Sequence, residues 1–172
     1  MNSTYPGESH STPRYEWTSQ LWEIDSPTAL RTVRRMLTQL LNTCSQRDRY
    51  ARFGGYLTMS TAVDQMIPPS GGGTFRAALD LSGNLVAAID SHHTRDGRTE
   101  VAVIVSPPWR LQGVARHLVE LTIEHADREV YAVVDEGNRP ARGLARLLCG
   151  EVVRIETGTL EIAFPRFNRI RP

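Results

Sequence analysis

The chain has 172 residues, of which 40% are hydrophobic, and its formal net charge is +1 at pH 7. A chain of this length and composition favours one compact domain with a sizeable core. Because charges of both signs are interspersed, we expect neither a nucleic-acid-binding nor a membrane-binding surface. With two cysteines, no signal peptide and no apolar run long enough to span a bilayer, the sequence predicts a cytoplasmic protein.

The N-terminal part of the chain predicts a tail, a strand and a helix. Residues 1 to 14 are rich in Ser, Thr, Pro and Gly without periodicity, which is typical of a flexible tail. Tyr15 to Ile24 alternates as a strand does. Ser26 followed by Pro27 is a strong helix start, and the apolar spacing extends the helix to about Arg47.

The middle of the chain predicts a short helix, a loop and three antiparallel strands. Tyr50 to Met66 is irregular and fits a second, short helix. Residues 68 to 73, Pro-Pro-Ser-Gly-Gly-Gly, indicate a surface loop and no phosphate cradle, because no lysine or hydroxyl follows in the right place. Strands are expected at Thr74 to Leu79, at Leu85 to Ser91 and at the segment carrying Glu100.

The second half alternates strands and helices. Pro107-Pro108 should end strand pairing, since proline has no N–H to donate to a ladder. The expected elements are a helix from Gly113 to Asp127, a strand from Glu129 to Val134, a helix opened by Asn138, and a closing hairpin with Val152-Val153 and Leu160 to Phe164.

The segment from Arg98 to Arg116 is the most informative one, because a strand runs through the proline turn into the start of a helix. The first N–H groups of a helix are unpaired and its dipole is positive there, so anions bind at such ends. Gly113 and the small Ala115 allow a phosphate to approach the backbone. Neither Gly-Lys-Ser/Thr nor Gly-x-Gly-x-x-Gly is present. The junction predicts a site for another kind of phosphorylated ligand.

Two motifs resemble those of the GNAT acetyltransferases, a superfamily that binds acetyl coenzyme A. Arg110-x-x-Gly113-x-Ala115 resembles the family's Gln/Arg-x-x-Gly-x-Gly/Ala signature, and the run from Asn138 resembles its Asn-x-x-Ala helix, most closely that of bacterial protein lysine acetyltransferases. The resemblance covers roughly residues 74 to 165. It implies an α/β fold with a mixed, mostly antiparallel central sheet, splayed after the fourth strand and flanked by about four helices.

The resemblance also implies a single acetyltransferase domain over residues 15 to 166, with a C-terminal tail at 167 to 172, and acetyl-CoA as acyl donor. The pantetheine arm would lie along the fourth strand, and helix amides would hold the pyrophosphate. The implied cofactor-binding residues are Val103, Ile104, Val105, Arg110, Leu111, Gln112, Gly113, Val114, Ala115, Arg116 and Asn138. In the alternative, the arginines are merely solvated. No metal site is expected.

Glu100 is the implied catalytic base, since it resembles in position the glutamate of bacterial protein lysine acetyltransferases. A base is needed because an amine of lysine type has a pKa of about 10.4. One alternative pairs Glu100 with Arg98 as a surface charge; another makes one of His92 and His93 the base, since adjacent strand residues point to opposite faces. The family's usual tyrosine acid is replaced by Ala145, and a thiolate leaves with little acid help.

We therefore expect an acetyl-CoA-dependent N-acetyltransferase that acts on a protein lysine or a small-molecule amine, with the acceptor cleft formed by residues 25 to 73 and the closing hairpin. A homodimer through the closing strands is possible. The alternative is a non-catalytic GNAT-shaped module that binds acyl-CoA or acts as a regulatory interaction module. It is suggested by Leu111, by Gly150, which falls one place late, and by the absence of the family's tyrosine. All 20 cationic side chains are arginine; either avoidance of self-acetylation or codon bias explains this.

Overall fold

The computed structural model describes residues 16–22 and 24–165, and one seven-stranded sheet forms its centre. The strands are β1 (Trp17–Trp22), β2 (Gly73–Asp80), β3 (Leu85–His93), β4 (Thr99–Val105), β5 (Val130–Asp135), β6 (Glu151–Glu156) and β7 (Thr159–Phe164). Their order across the sheet is β1-β2-β3-β4-β5-β7-β6. All neighbours are antiparallel except β4 and β5, which are parallel. The predicted mixed, mostly antiparallel sheet is confirmed.

Five α-helices accompany this sheet within the described residues, where about four were expected. They are α1 (Pro27–Thr43), α2 (Gln46–Phe53), α3 (Met59–Gln65), α4 (Val114–His125) and α5 (Arg139–Leu147). The additional helix is α2, since the sequence predicted one helix to about Arg47 and one short helix between Tyr50 and Met66, which is where α3 lies.

The first helix starts where the sequence predicts and ends earlier. The Ser26 hydroxyl accepts a hydrogen bond from the Ala29 amide at 3.2 Å, with proline at the first helical position. The prediction that α1 extends to Arg47 was wrong. The Ser45 hydroxyl accepts from the Asp48 amide while the Asp48 carboxylate accepts from the Ser45 amide, and this capping box begins a separate helix, α2.

The sheet separates two apolar cores. On one face, α4 and α5 cover a core that includes Leu118 and Ile162. On the other face, the stripe of α1 that carries Leu37 packs with residues of α3 against Ala88 and Ile104 of the sheet. The sheet is therefore covered by helices on both faces.

The parallel strands β4 and β5 stay together for only two residue pairs. Thr99 is opposite Val130 and Glu100 is opposite Tyr131, and no further pair joins the two strands. β5 then pairs with β7 on its other side, while β4 continues to Val105 paired only with β3. The sheet therefore opens into a V beyond Glu100, as the predicted splay requires.

Some expectations lie outside the described residues, namely the tails at residues 1–14 and 167–172. Within the described residues, no helix is long and apolar enough to cross a membrane.

Candidate functional site

The junction of β4 and α4 presents free backbone amides. A 3₁₀ turn, Pro107–Trp109, follows the strand, and Gly113 is the N-cap of α4 with φ +80° and no side-chain cap. The first amide to bond back into the helix is that of His117, which donates to the Gly113 carbonyl. Within the described residues, the amides of Leu111 to Arg116 donate to no protein group. They form a cradle of donors at the positive end of the helix.

The backbone around this cradle is held in a conformation that opens it. Leu111 has a positive φ of 61° and a fully exposed side chain, which keeps that side chain away from the core. A Cβ built on Gly113 meets no atom within 4 Å. The approach to the amides is therefore unobstructed on this side, as close contact with a phosphate requires.

Arg110 turns back from the cradle towards the open sheet. Its Nε donates to the Val105 carbonyl at 3.1 Å, and its Nη1 lies 3.0 Å from Oδ1 of Asp48 in α2. Arg116 instead pairs along α4 with Glu120 at 2.8 Å. Of the two arginines, it is therefore Arg110 that lies beside the carboxyl end of β4, where the V is open.

Asp48 stays ionised because of this contact. Burial raises its pKa, but hydrogen bonds from Arg110 and Ser45 outweigh that effect and lower the pKa to about 2. The ion pair joins α2 to the start of the amide cradle.

The other expected cofactor-binding residues occupy different parts of this region. The backbone groups of Val103 and Val105 lie on the edge of β4 that faces the V. Those of Ile104 face Ala88 of β3, because hydrogen-bonded and non-hydrogen-bonded pairs alternate along an antiparallel ladder, and its side chain is in the core on the α1 face, so Ile104 presents no group to the opening. Gln112 donates to the Pro108 carbonyl at 2.8 Å. Asn138 caps α5 by accepting from the Ala141 amide at 3.2 Å.

A cleft of about 450 Å³ lies over the closed end of the V, on the α1 face of the sheet. Its floor consists of β3 and β4, and its wall consists of α2, α3 and the loop after α3. The lining residues are Arg52, Asp64, Gln65, Ile67, Pro69, Asp90, His92, Glu100, Val101 and Ala102. Most of its wall therefore lies within residues 25 to 73, and the β6–β7 hairpin contributes none of these residues.

Glu100 faces the cleft from the last paired position of β4 and β5. Its Oε2 accepts a hydrogen bond from the Tyr131 hydroxyl at 3.3 Å. Burial and the charge of Glu100 raise the pKa of Tyr131, so this hydroxyl remains a proton donor. Within the described residues, Glu100 forms no ion pair.

The alternative in which Glu100 pairs with Arg98 is wrong. Arg98 lies 2.7 Å from Asp96 and 2.6 Å from Glu161, and its guanidinium stacks over the Tyr131 ring at 4.1 Å. Arg98 therefore holds Tyr131 in place and leaves Glu100 free to face the cleft.

The two adjacent histidines point to opposite faces, as the strand geometry predicts. His92 lines the cleft directly opposite Glu100 in the β3–β4 register, whereas His93 contacts the Thr99 hydroxyl at 3.2 Å. The Nε2 of His92 is 3.1 Å from Oδ2 of Asp90, a buried carboxylate whose Oδ1 accepts from Arg52.

Four site residues were not identified from the sequence: Asp48, Arg52, Asp90 and Tyr131. Asp90 carried a detectable signal, because a carboxylate two positions before His92 on a strand must share its face. Tyr131 could have been found only by aligning β5 with β4. The partners supplied by α2 carry no sequence signal, since their positions depend on tertiary packing.

The match to a family model decides the family. The model of the acetyltransferase (GNAT) family matches residues 34–150, a stretch that begins within α1 and ends after α5. The chain belongs to the GNAT acetyltransferase family. The resemblance in the two motifs is thereby confirmed, and the matching stretch begins well before residue 74. No curated protein sequence matches the chain significantly.

Several solved GNAT structures share the fold at low sequence identity. The GNAT domain of S. lividans PAT has a TM-score of 0.69 and 20% identity, covering 85% of this chain and 88% of that one. Ribosomal-protein-S5-alanine acetyltransferase from Vibrio fischeri has a TM-score of 0.61 and 9% identity, covering 88% and 94%. Spermidine N-acetyltransferase from Vibrio cholerae, in complex with CoA and spermine, has a TM-score of 0.58 and 13% identity, covering 87% and 95%.

Proposed function

We propose that this GNAT protein is an N-acetyltransferase that transfers the acetyl group of acetyl-CoA directly to an amine. The observation that carries the proposal is the alignment of three features along β4. Free amides lie beyond its carboxyl end, an open edge runs along Val103 to Val105, and the carboxylate of Glu100 lies at its other end. An acyl donor whose phosphates bind the amides and whose arm lies along the open edge of β4 would have its reactive end beside the Glu100 carboxylate.

The residues of the cradle fit the phosphates of coenzyme A. The amides of Leu111 to Arg116 lack protein partners in the described part of the chain, and an anion at a helix N-terminus satisfies such groups. Arg110 can turn from Asp48 to a phosphate, where a guanidinium forms charge-assisted hydrogen bonds. Coenzyme A would supply the acetyl group as a thioester.

The open edge of β4 fits an extended arm. Beyond Glu100, β4 has no strand neighbour on the side of β5, so the backbone groups of Val103 and the amide of Val105 can pair with a ligand as they would with a strand. The Val105 carbonyl becomes open to a ligand when Arg110 turns to a phosphate. Backbone N–H groups there can also stabilise negative charge that develops on a carbonyl oxygen.

Glu100 is the proposed proton acceptor for the incoming amine. An ammonium must lose a proton before its nitrogen can attack a carbonyl carbon, and a carboxylate within reach can remove it directly or through one water. The Tyr131 hydroxyl donates to Oε2 of Glu100 and holds the carboxylate in position.

The charges in the cleft favour a cationic acceptor. Asp64 lies 2.6 Å from Arg34, and Asp90 accepts from Arg52, so both carry a protein counter-charge. In the described part of the chain, Glu100 is the cleft carboxylate that has no protein counter-charge. An acceptor ammonium would fill that place, whether it belongs to a protein lysine or to a small amine. The names of the structural neighbours include an acetyltransferase for an alanine of a ribosomal protein and one for spermidine.

The test is acceptor-dependent release of free thiol from acetyl-CoA. A panel of polyamines, amino acids, aminoglycosides and lysine-rich proteins would be incubated with the full chain. Release that requires an amine supports the proposal, and the protein product can be read by acetyl-lysine detection without interference, because the chain has no lysine of its own. Coenzyme A binding without release for any amine would instead favour a non-catalytic GNAT-shaped module.

A further inference from the structure

His92 and Asp90 form a second pair of proton-handling groups beside Glu100. Asp90 and His92 are two positions apart on β3, so their side chains project from the same face of the sheet. The Nε2 of His92 lies 3.1 Å from Oδ2 of Asp90. His92 is also directly opposite Glu100 across the β3–β4 ladder, a position in which Cβ atoms are about 5 Å apart.

The environment of Asp90 fixes the orientation of the imidazole. Asp90 is only 2% exposed, and the Arg52 guanidinium of α2 donates to its other oxygen. An ionised carboxylate accepts hydrogen bonds and donates none, so the Nε2 of His92 must carry the hydrogen that faces it. The Nδ1 of a neutral His92 is then left with a lone pair, ready to accept a proton.

His92 also connects the buried part of the cleft with solvent. Its side chain is 34% exposed, whereas that of Asp90 is 3% exposed. The charged groups around it come from four elements. They are Asp90 of β3, Glu100 of β4, Arg52 of α2 and Asp64 of α3.

We infer that His92, oriented by Asp90, receives the proton that Glu100 takes from the acceptor and passes it to solvent; this inference rests on the proposed function. In the transfer, a C–N bond forms and the thioester C–S bond breaks. The acceptor ammonium loses two protons overall. One ends on the sulfur of the released thiol, and the other leaves through Glu100 and His92, which returns Glu100 to its ionised form.

The direction of the relay follows from ordinary acid strengths. In model peptides an imidazole has a pKa of about 6.5 and a glutamate carboxyl one of about 4.3. A proton therefore moves downhill from a carboxylic acid to a neighbouring imidazole. The contact of Nε2 with Asp90 holds the ring in place, which is the orienting role that an aspartate has in a catalytic triad.

The first arm of the test measures the tautomer of His92 in the ligand-free full chain. Long-range ¹H–¹⁵N NMR, with the signal assigned by its loss in His92→Gln, should show neutral His92 with its hydrogen on Nε2. In Asp90→Asn, the side-chain amide can donate to the ring, so the population of this tautomer should fall. A hydrogen on Nδ1 in the wild type would overturn the inference.

The second arm measures acetyl transfer as a function of pH. His92→Gln should lower kcat for the amine on the order of tenfold, with an unchanged KM for acetyl-CoA, because Glu100 must then lose its proton to water. The limb of the pH profile that matches the NMR titration of His92 should disappear. The matched control is His93→Gln, the adjacent histidine on the other face, which should keep the wild-type profile.

The two arms separate failure of this inference from failure of the proposed function. A pH profile of His92→Gln that superimposes on the wild-type profile would overturn the relay while leaving acetyl transfer intact. If no amine supports turnover, the proposed function fails, and the NMR arm still tests the Asp90-oriented tautomer. Should Asp90→Asn not fold, the wild-type tautomer and the His92→Gln profile decide the matter.

Discussion

The two ends of β4 are built in different ways. At the carboxyl end, consecutive residues from Leu111 to Arg116 present backbone amides, and their side chains have little part in the cradle. At the other end, Glu100, His92 and Arg52 come from three separate elements and meet only because of strand register and helix packing. A site made of backbone leaves a short contiguous motif in the sequence, whereas a site made of side chains from distant segments leaves only separate residues.

The largest effect is expected from Glu100→Gln, which removes the proton acceptor and keeps the shape of the side chain. It should reduce kcat for the amine by about 10²–10⁴-fold, the usual contribution of general acid–base catalysis. Acetyl-CoA affinity should stay unchanged, because Glu100 is at the opposite end of β4 from the amide cradle.

The matched control for this change is Glu151→Gln, an exposed residue of β6 outside the cleft, which should leave turnover unaltered. Full activity of Glu100→Gln across the pH range would remove Glu100 as the base and assign that role to His92.

A smaller effect is expected from Tyr131→Phe, which deletes the hydroxyl that donates to Glu100 and keeps the ring under Arg98. The loss of one hydrogen bond of about 1 kcal/mol corresponds to roughly a fivefold decrease in kcat/KM for the amine. Steady-state kinetics would measure the decrease, with Tyr56→Phe at an exposed tyrosine as the matched control. An effect as large as that of Glu100→Gln would give Tyr131 a direct part in the chemistry.

The smallest effect is expected for the ion pair of Asp48 with Arg110, which joins α2 to the start of the amide cradle. The pKa of Asp48 falls from 3.8 to about 2 on folding, so the stabilisation is complete above pH 4 and is lost as the pH falls through 2. Asp48→Asn should therefore have a lower free energy of unfolding than the wild type at pH 6, and the difference should be smaller near pH 2. Urea denaturation at the two pH values measures both. An equal difference at both pH values would contradict this assignment.

Much of the fold could be predicted because its signals are local. The N-cap at Ser26, the prolines after Val105 and the alternation of β2 and β3 all act within a few residues of where they appear. The end of α1 was misjudged because the apolar spacing continues beyond it, while the capping box of Ser45 and Asp48 favours a new helix. Capping thus outweighs periodicity at that position.

The candidate site was predictable to a different extent at each end. Arg110 and Gly113 could be recognised in a motif, and Glu100 could be placed by its distance from it. Arg52 could not be recognised, because its contact with Asp90 depends on how α2 packs over the sheet. The same holds for Asp48, which a helix-capping pattern explains without any reference to Arg110.

The most direct test of the central proposal is calorimetric titration of acetyl-CoA into the folded wild-type chain and two glycine variants. Gly113→Glu puts a carboxylate at the amide cradle, whereas Gly158→Glu has nearly the same φ, +79° against +80°, and equally open surroundings in a distant turn. The proposal predicts binding by the wild type and Gly158→Glu, and an affinity at least about tenfold lower for Gly113→Glu. No binding by the folded wild type, or equal binding by all three proteins, would contradict it.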